Sequence, residues 1–297
     1  MTEANTALKT EDQYLEDGWY NMTNEQYHSS PAVSKSDMSK ILDCPRRYIQ
    51  PGIEEEKDNL IIGAAFHTAV LEPDKFDREY VTLPDDCRPG SGRGQRDRLE
   101  AFVFESQQKG QTILKPEWVD QIRIMRDAVH MHPTVRREGL LEGGEAEISG
   151  FYFDTDFGIH TKIRPDYLKQ DRPIIVDLKS AADPTPRKFG NVAYDKDYDL
   201  QTGHYSYTAM KLTGIMHEGF YFIAVEKPKL KGQYVGVLVY RATPEFINNG
   251  LLKRSRALTA YAECRKDNSW PGYDETIQEL NLPGWITRKP DLSPIFD

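Results

Sequence analysis

Residues 173–180 read Pro-Ile-Ile-Val-Asp-Leu-Lys-Ser, and this run decides how the rest of the chain is read. Ile174, Ile175 and Val176 are β-branched and apolar, the composition of a strand entering a core. Side chains two apart on a strand share a face. Asp177 and Lys179 therefore sit side by side at the end of a buried strand, and Leu178 faces the other way. Eleven residues upstream of Asp177, Asp166 ends a second apolar-rich strand, KIRPDYL. Two carboxylates and a lysine can thus converge at neighbouring strand ends. That trio suits a divalent cation with a positive group beside it to hold a water or a phosphate. Read alone, an Asp-x-Lys tripeptide more often marks a surface ion pair at a strand end, so the surrounding sequence has to decide.

Outward from this run, the chain changes period. Residues 145–153, 159–168 and 173–179 read as three successive strands, the first two joined by a turn at 154–158. Pro184–Asn191 reads as a proline-bearing loop. A helix over 197–213 is ended by Gly214. Strands follow at 218–226 and 233–240, then a helix from about 243 to 266, capped by Thr243 with Pro244 in its first turn. Upstream, Ser34 and Asp37 form a helix-start signature ahead of Met38, Ile41 and Leu42, and Cys44-Pro45 stops that helix. Residues 60–71 form an apolar helix carrying His67, a position usually filled by a core histidine with a satisfied ring. Residues 84–98 read as a Gly- and Arg-rich mobile loop. Helices follow near 97–109 and 116–130, the second with Trp118, Ile122, Met125 and Val129 at helical spacing. The expected fold class is α/β (α+β): a central mixed sheet flanked by helices, with a helical N-terminal part.

The expected organisation is a flexible arm over 1–18, one domain over 19–268 and an irregular tail over 269–297. Within the domain, the helical part covers about 34–140 and the sheet-bearing core about 144–266. The arm is polar and acidic without an apolar core, unlike a signal peptide. No apolar run approaches the roughly 20 residues of a membrane helix. Three scattered cysteines, Cys44, Cys87 and Cys264, argue against a disulfide framework and for a reducing cytoplasm. The net charge of −9 does not advertise a nucleic-acid binder, although local basic patches can exist within an acidic total.

Phosphodiester hydrolysis needs the parts gathered here. A hard cation takes oxygen ligands and keeps some of its waters, and it activates a water while stabilising phosphate charge. Asp166, Asp177 and the main-chain carbonyl of Leu178 offer oxygens, and Lys179 offers a positive group. Gln201 and Tyr205, four apart on one helix face, can hold a DNA phosphate or base. Arg46, Arg47, Arg93 and Arg96 are candidates for gripping the backbone.

The pattern RPD-(x10)-DLKS resembles the PD-(D/E)xK nuclease superfamily, which implies a restriction-endonuclease-like core. His67 upstream and the QxxxY of Gln201–Tyr205 resemble its RecB-type branch. Closer still is the phage and prophage exonuclease VIII (RecE) C-terminal nuclease family. The segments YHSSPAVSKSDMSKILDCPRRY, GAAFHTAVLEPDKF, KIRPDYL, VDLKS and DLQTGHYSY resemble that family's signature in the same order, across roughly residues 20–225. The resemblance implies His67, Asp166 and Asp177 as metal ligands, Lys179 as the catalytic lysine, and Gln201 and Tyr205 as the substrate-facing pair. Glu147 matches a family acid on the first core strand, and Glu145 competes for the place. The cofactor implied is Mg²⁺, with Mn²⁺ as a substitute. The implied activity is 5′→3′ degradation of linear double-stranded DNA from its ends, leaving a 3′ single strand for an annealing protein. The implied assembly is a ring-like homo-oligomer, with a tetramer as the nearest precedent. Some RecB-like nucleases hold an iron–sulfur cluster through an early cysteine and three late ones. Cys44-Pro45 resembles the early part but only Cys264 lies late, so no cluster is expected and Cys44 reads as a small buried residue. Two other readings stay open: a catalytically silent DNA-binding protein on the same fold, and an endonuclease or single-strand nuclease of the same superfamily.

Overall fold

The computed structural model describes residues 15–50, 52, 58–87, 93–169, 172–228 and 232–281. The N-terminal part is mainly helical. A short strand β1 (Gly18–Tyr20) precedes α1 (Asn24–Ser29), α2 (Lys35–Asp43) and α3 (Pro45–Ile49). The expected start of α2 is present as a reciprocal cap. The Asp37 N–H donates to Ser34 Oγ at 3.3 Å, and the Ser34 N–H donates to Asp37 Oδ2 at 2.9 Å. Pro45 ends α2 and opens α3, because a proline at a first helical position gives up no bonded N–H. Next come α4 (Asp58–Leu71), α5 (Pro73–Glu79), β2 (Tyr80–Thr82), a 3₁₀ turn at Asp85–Cys87, α6 (Arg93–Gln108), β3 (Thr112–Leu114), α7 (Pro116–Met131) and α8 (Pro133–Arg137). The loop expected over 84–98 is thus shorter: α6 begins at Arg93, and residues 88–92 lie outside the described part.

The sheet-bearing part follows as β4 (Gly144–Ala146), β5 (Ser149–Asp154), β6 (Ile159–Ile163), β7 (Tyr167–Lys169), β8 (Ile174–Ala181), α9 (Pro186–Asp195), α10 (Tyr198–Thr213), β9 (Gly219–Glu226), β10 (Val237–Arg241) and α11 (Pro244–Asp267). The central sheet is mixed, in the order β10-β9-β8-β7-β4. PIIVDLKS is its middle strand, parallel to β9 and antiparallel to β7. A smaller sheet, β1-β5-β6, stands beside it.

Two expected strands are corrected. Residues 145–153 and 159–168 are not continuous. Each breaks and passes from one sheet to the other, the first between β4 and β5, the second between β6 and β7. The causes are local. Pro165 removes a ladder donor and constrains the residue before it, and Glu147 has a left-handed backbone with φ of 52°. The loop expected over 184–191 is also corrected, since Pro186 occupies the first turn of α9 and starts a helix there. The N-terminal arm expected over 1–18 lies mostly outside the described residues, and its end is docked: Gly18 pairs with Phe151, and the Phe153 N–H donates to Asp17 Oδ1 at 2.6 Å. The expected irregular tail contains no helix or strand over residues 269–281, and 282–297 lie outside the described part.

Alternation along β8 feeds two cores. Ile174, Val176 and Leu178 pack with Phe66 of α4 and with Ile122, Met125 and Val129 of α7. On the opposite face, Ile175 packs with Phe189, Tyr205, Phe220 and Phe222 beneath α9 and α10. Burying these faces is the main driving force. Helix α10 lies close against α11 because both carry glycine at the crossing. A Cβ on Gly250 would sit 1.8 Å from the Asp199 carbonyl oxygen, and one on Gly203 would sit 2.5 Å from the Gly250 backbone. Gly250→Ala is therefore expected to destabilise the protein by about 1–3 kcal/mol, since backbone cannot yield as a side chain can. An unchanged melting temperature would contradict this packing.

Candidate active site

The site forms where the two broken strands meet. The β7–β8 register pairs Tyr167 with Val176, and β7 begins only there. The next N–H along β8 that this edge would have paired, that of Leu178, donates instead to Asp166 Oδ2 at 2.6 Å. A side-chain carboxylate thus completes a ladder that the chain has left. Asp166 is fixed from a second direction by His67 of α4, whose Nδ1 lies 3.4 Å from the same oxygen. Glu147 completes the group. Its N–H donates to the Asp166 carbonyl at 3.1 Å, and one ligand atom from each of His67, Glu147 and Asp166 lies within 4.8 Å of the others. Glu145, the competing acid, is exposed on β4 and is not in this group.

Asp177 and Lys179 share a face, as the strand period requires, and they form an ion pair. Asp177 is fully buried, and its second oxygen accepts a hydrogen bond from Gln201 Nε2 of α10. Lys179 also lies over the Tyr198 ring, 4.7 Å from its centroid. Sequence reasoning missed Tyr198, though its place three residues before Gln201 puts it on the same helix face. It also missed Lys35, whose Nζ donates to the Lys196 carbonyl at 2.6 Å, and Arg164, which contacts Glu147.

The electrostatics follow from burial and like charge. Burial, then the charge of Asp166, raises the Glu147 carboxyl to about 7. The same two causes raise Asp177 to about 6 against the pull of Lys179. Burial raises Asp166 less than the charge and hydrogen bond of His67, with Lys179 and the Leu178 N–H, lower it, so it stays below the usual range. Burial opposes protonation of His67, but Asp166 outweighs it and its pKa is raised. Burial likewise works against the Lys179 ammonium, yet Asp177 and Asp166 hold it protonated up to about 12. Burial pushes Lys35 down to about 8, with the Lys179 charge adding to this and Asp197 opposing it. Two carboxylates and an imidazole converging in this way, with one acid reluctant to ionise beside the other, fit a hard divalent cation.

Of the other expected residues, some are buried beside the site and the arginines lie on the surface. Tyr205 is 8% exposed and packs among Ile163, Leu168 and Phe220, so the expected substrate-facing phenol is a core side chain. Gln201 is also 8% exposed and faces Asp177. Leu178 is fully buried in the α4-facing core. Arg46 and Arg47 are exposed on α3, where Arg47 pairs with Asp43 and its guanidinium lies 5.3 Å from the Tyr273 ring centroid. Arg96 is exposed on α6, and the side chain of Arg93 lies outside the described part. Cys44 is buried, as read. Among the described residues, no helix is long and apolar enough to cross a membrane.

A family described as a PDDEXK-like domain of unknown function matches residues 34–283, and the chain belongs to it. No curated protein matches the chain. Among solved structures, a provisionally named exonuclease from Eubacterium rectale aligns with a TM-score of 0.54 at 14% identity, over 92% of this chain and 100% of that one. A phage-related exonuclease from Haemophilus somnus 129PT aligns at 0.34 and 10% identity, over 80% and 96%. The alkaline exonuclease of Laribacter hongkongensis aligns at 0.24 and 15% identity, over 69% and 97%. The first likeness agrees with the fold, and the PD-(D/E)xK assignment read from RPD and DLKS agrees with the family match.

The raised Glu147 pKa makes a stability prediction. A carboxyl held protonated by the fold stabilises it below its unfolded pKa and loses that contribution as pH rises through about 7. Metal-free Glu147→Gln is therefore expected to be more stable than wild type at pH 8, by about 1 kcal/mol or more. The gap should close by pH 4–5, near the ordinary glutamate value. Melting curves across this range, with chelator present, measure it, and equal stability at pH 8 would refute the assignment.

Proposed function

We propose that this PDDEXK-like domain is a divalent-metal-dependent nuclease. The observation carrying this reading is the convergence of His67, Glu147 and Asp166 beside the buried Asp177–Lys179 pair. His67, Glu147 and Asp166 would hold the ion, with Asp177 and the Leu178 carbonyl the further candidates. Mg²⁺, or Mn²⁺ in its place, would supply an activated water and charge stabilisation at the scissile phosphate. The protein's own contribution is positional. Asp166 is anchored by a strand N–H and by His67, so its carboxylate does not have to be ordered when a ligand arrives. Asp177 holds the ammonium of Lys179 at the site, where it can orient the attacking water and offset charge developing on the phosphate. Gln201 holds Asp177 in turn. Tyr198 gives the ammonium an aromatic wall.

The finer reading is an exodeoxyribonuclease that degrades linear double-stranded DNA, 5′→3′, and leaves 3′ single strands for recombination. Its support is the ordered set of segments that resemble the exonuclease VIII family, from YHSSPAVSKSDM to DLQTGHYSY. With that reading go a ring-like homo-oligomer, an annealing protein as partner, a cytoplasmic setting and backbone contacts from Arg46, Arg47, Arg93 and Arg96.

Digestion of linear, nicked and covalently closed duplexes with Mg²⁺ tests this reading. Linear DNA is expected to be degraded and closed circles spared. With end-labelled duplex, a 5′ label is expected to be released first. Cleavage of closed circles would favour an endonuclease, and intact linear DNA would refute the enzyme. Lys179→Ala is expected to slow cleavage by at least about 100-fold. Full activity in that variant would remove the role assigned to the lysine.

A further inference from the structure

We propose that Arg164 is a positioning residue that clips Glu147 into the carboxylate–histidine cluster. The proposal rests on the metal-dependent reading above. Glu147 needs a clip because its backbone is left-handed, with φ of 52°, a region that residues with a Cβ and no short polar side chain rarely adopt. Only Glu147 and Ile148 separate β4 from β5, so the chain must swing from one sheet to the other in two residues.

Arg164 holds that swing. Its Nε donates to the Glu147 carbonyl at 2.9 Å and lies 3.2 Å from Glu147 Oε2. The far end of the same guanidinium reaches the segment before α1: Nη2 donates to the Met22 carbonyl at 2.6 Å, and Nη1 to the Thr23 carbonyl at 3.3 Å. The plane lies against the Tyr27 ring, 5.3 Å from its centroid. The side chain is only 8% exposed. A planar fork with donors at fixed angles can join two segments in this way, whereas a lysine ammonium on a flexible stem cannot. An exposed ion pair would contribute little, but here the guanidinium is buried and grips main chain on both sides.

The local sequence explains how the clip is built. Arg164 precedes Pro165 and is therefore biased to extended backbone. Asp166 follows at once. One tripeptide thus delivers a candidate ligand at one end and the clip for a second ligand at the other. Groups that orient metal ligands commonly change metal affinity by tenfold to a hundredfold when replaced.

Arg164→Lys keeps the charge and loses the bridge. In metal-free protein, amide hydrogen exchange over residues 144–149 is expected to quicken by about tenfold, while β9 stays unchanged. In calorimetric titration, Mn²⁺ affinity is expected to fall by about tenfold or more. In a Glu147→Gln background the same change is expected to cost less than about threefold, because its effect runs through a carboxylate already gone. Unchanged exchange together with unchanged Mn²⁺ affinity overturns the clip, as does a full additive loss in the Glu147→Gln background. Should Arg164→Lys fail to fold, Glu147→Gly decides: it is expected to melt higher than Glu147→Gln, which also lacks the carboxylate, and a lower melting temperature overturns the argument from strain. A wild-type chain that binds no Mn²⁺ and cuts no DNA refutes the nuclease reading instead, and the metal-free exchange still decides the clip.

Discussion

The structure depends on one constraint: two neighbouring strands must leave one sheet and enter another at the same height. The breaks at Glu147 and at Arg164-Pro165-Asp166 are tied to each other, since the Glu147 N–H donates to the Asp166 carbonyl at 3.1 Å. A break in a sheet normally exposes backbone groups that must be paired elsewhere. Here the pairing is done by side chains. Asp166 takes the Leu178 N–H, and Arg164 takes the Glu147 carbonyl. The groups that repair the break are thereby aimed into one place, and the candidate site is the consequence.

That arrangement is costly in charge. Asp166, Asp177 and Glu147 lie close together and largely out of water, and two of them resist ionisation, with carboxyls at about 6 and about 7. Burying like charge opposes folding. The protein offsets it with cations held on separate elements, Lys179 on β8 and Arg164 at the sheet break, and with the His67 imidazole of α4 beside Asp166. Local strain and unfavourable charge concentrated in one cluster are common at functional sites, where the surrounding structure must over-determine the geometry. The surrounding structure here is two hydrophobic layers, one on each face of the central sheet.

Helix α10 brings the second half of the site. It carries Tyr198 to Lys179 and Gln201 to Asp177. Its height over the sheet is set from behind by α11. Gly203 and Gly250 permit close approach, and Lys253 of α11 bonds Asp197 and Asp199 at 2.8 and 2.9 Å. Deeper in the same interface, Arg254 of α11 pairs with Asp154 at the end of β5 and donates to His204 Nδ1 at 3.3 Å. The helix that touches the site is thus fastened to the small sheet as well as to its neighbouring helix.

Much of this was legible in the chain itself. Alternation in PIIVDLKS determined that Asp177 and Lys179 share a face opposite Leu178, because a strand has a period of two. The Ser34–Asp37 cap, the apolar α4 carrying His67 and the spacing of RPD to DLKS are also local patterns, set by backbone geometry and residue type. The sequence carried one local signal of a break, Pro165, but nothing that showed Glu147 taking a left-handed backbone. The bend at Glu147 lies between the pairing of β4 with β7 and that of β5 with β6, and those long-range pairings place it. Nor could the sequence place Tyr205 in the core rather than at a surface, since a helix face shared with Gln201 says nothing about how deep each residue sits. The choice of Glu147 over Glu145, the reach of Arg164 to Met22 and the packing of Tyr198 on Lys179 join residues far apart in sequence or on opposite sides of a bend. Those were decided only by the tertiary structure, because long-range pairing and burial, unlike strand period and helix capping, have no local signature.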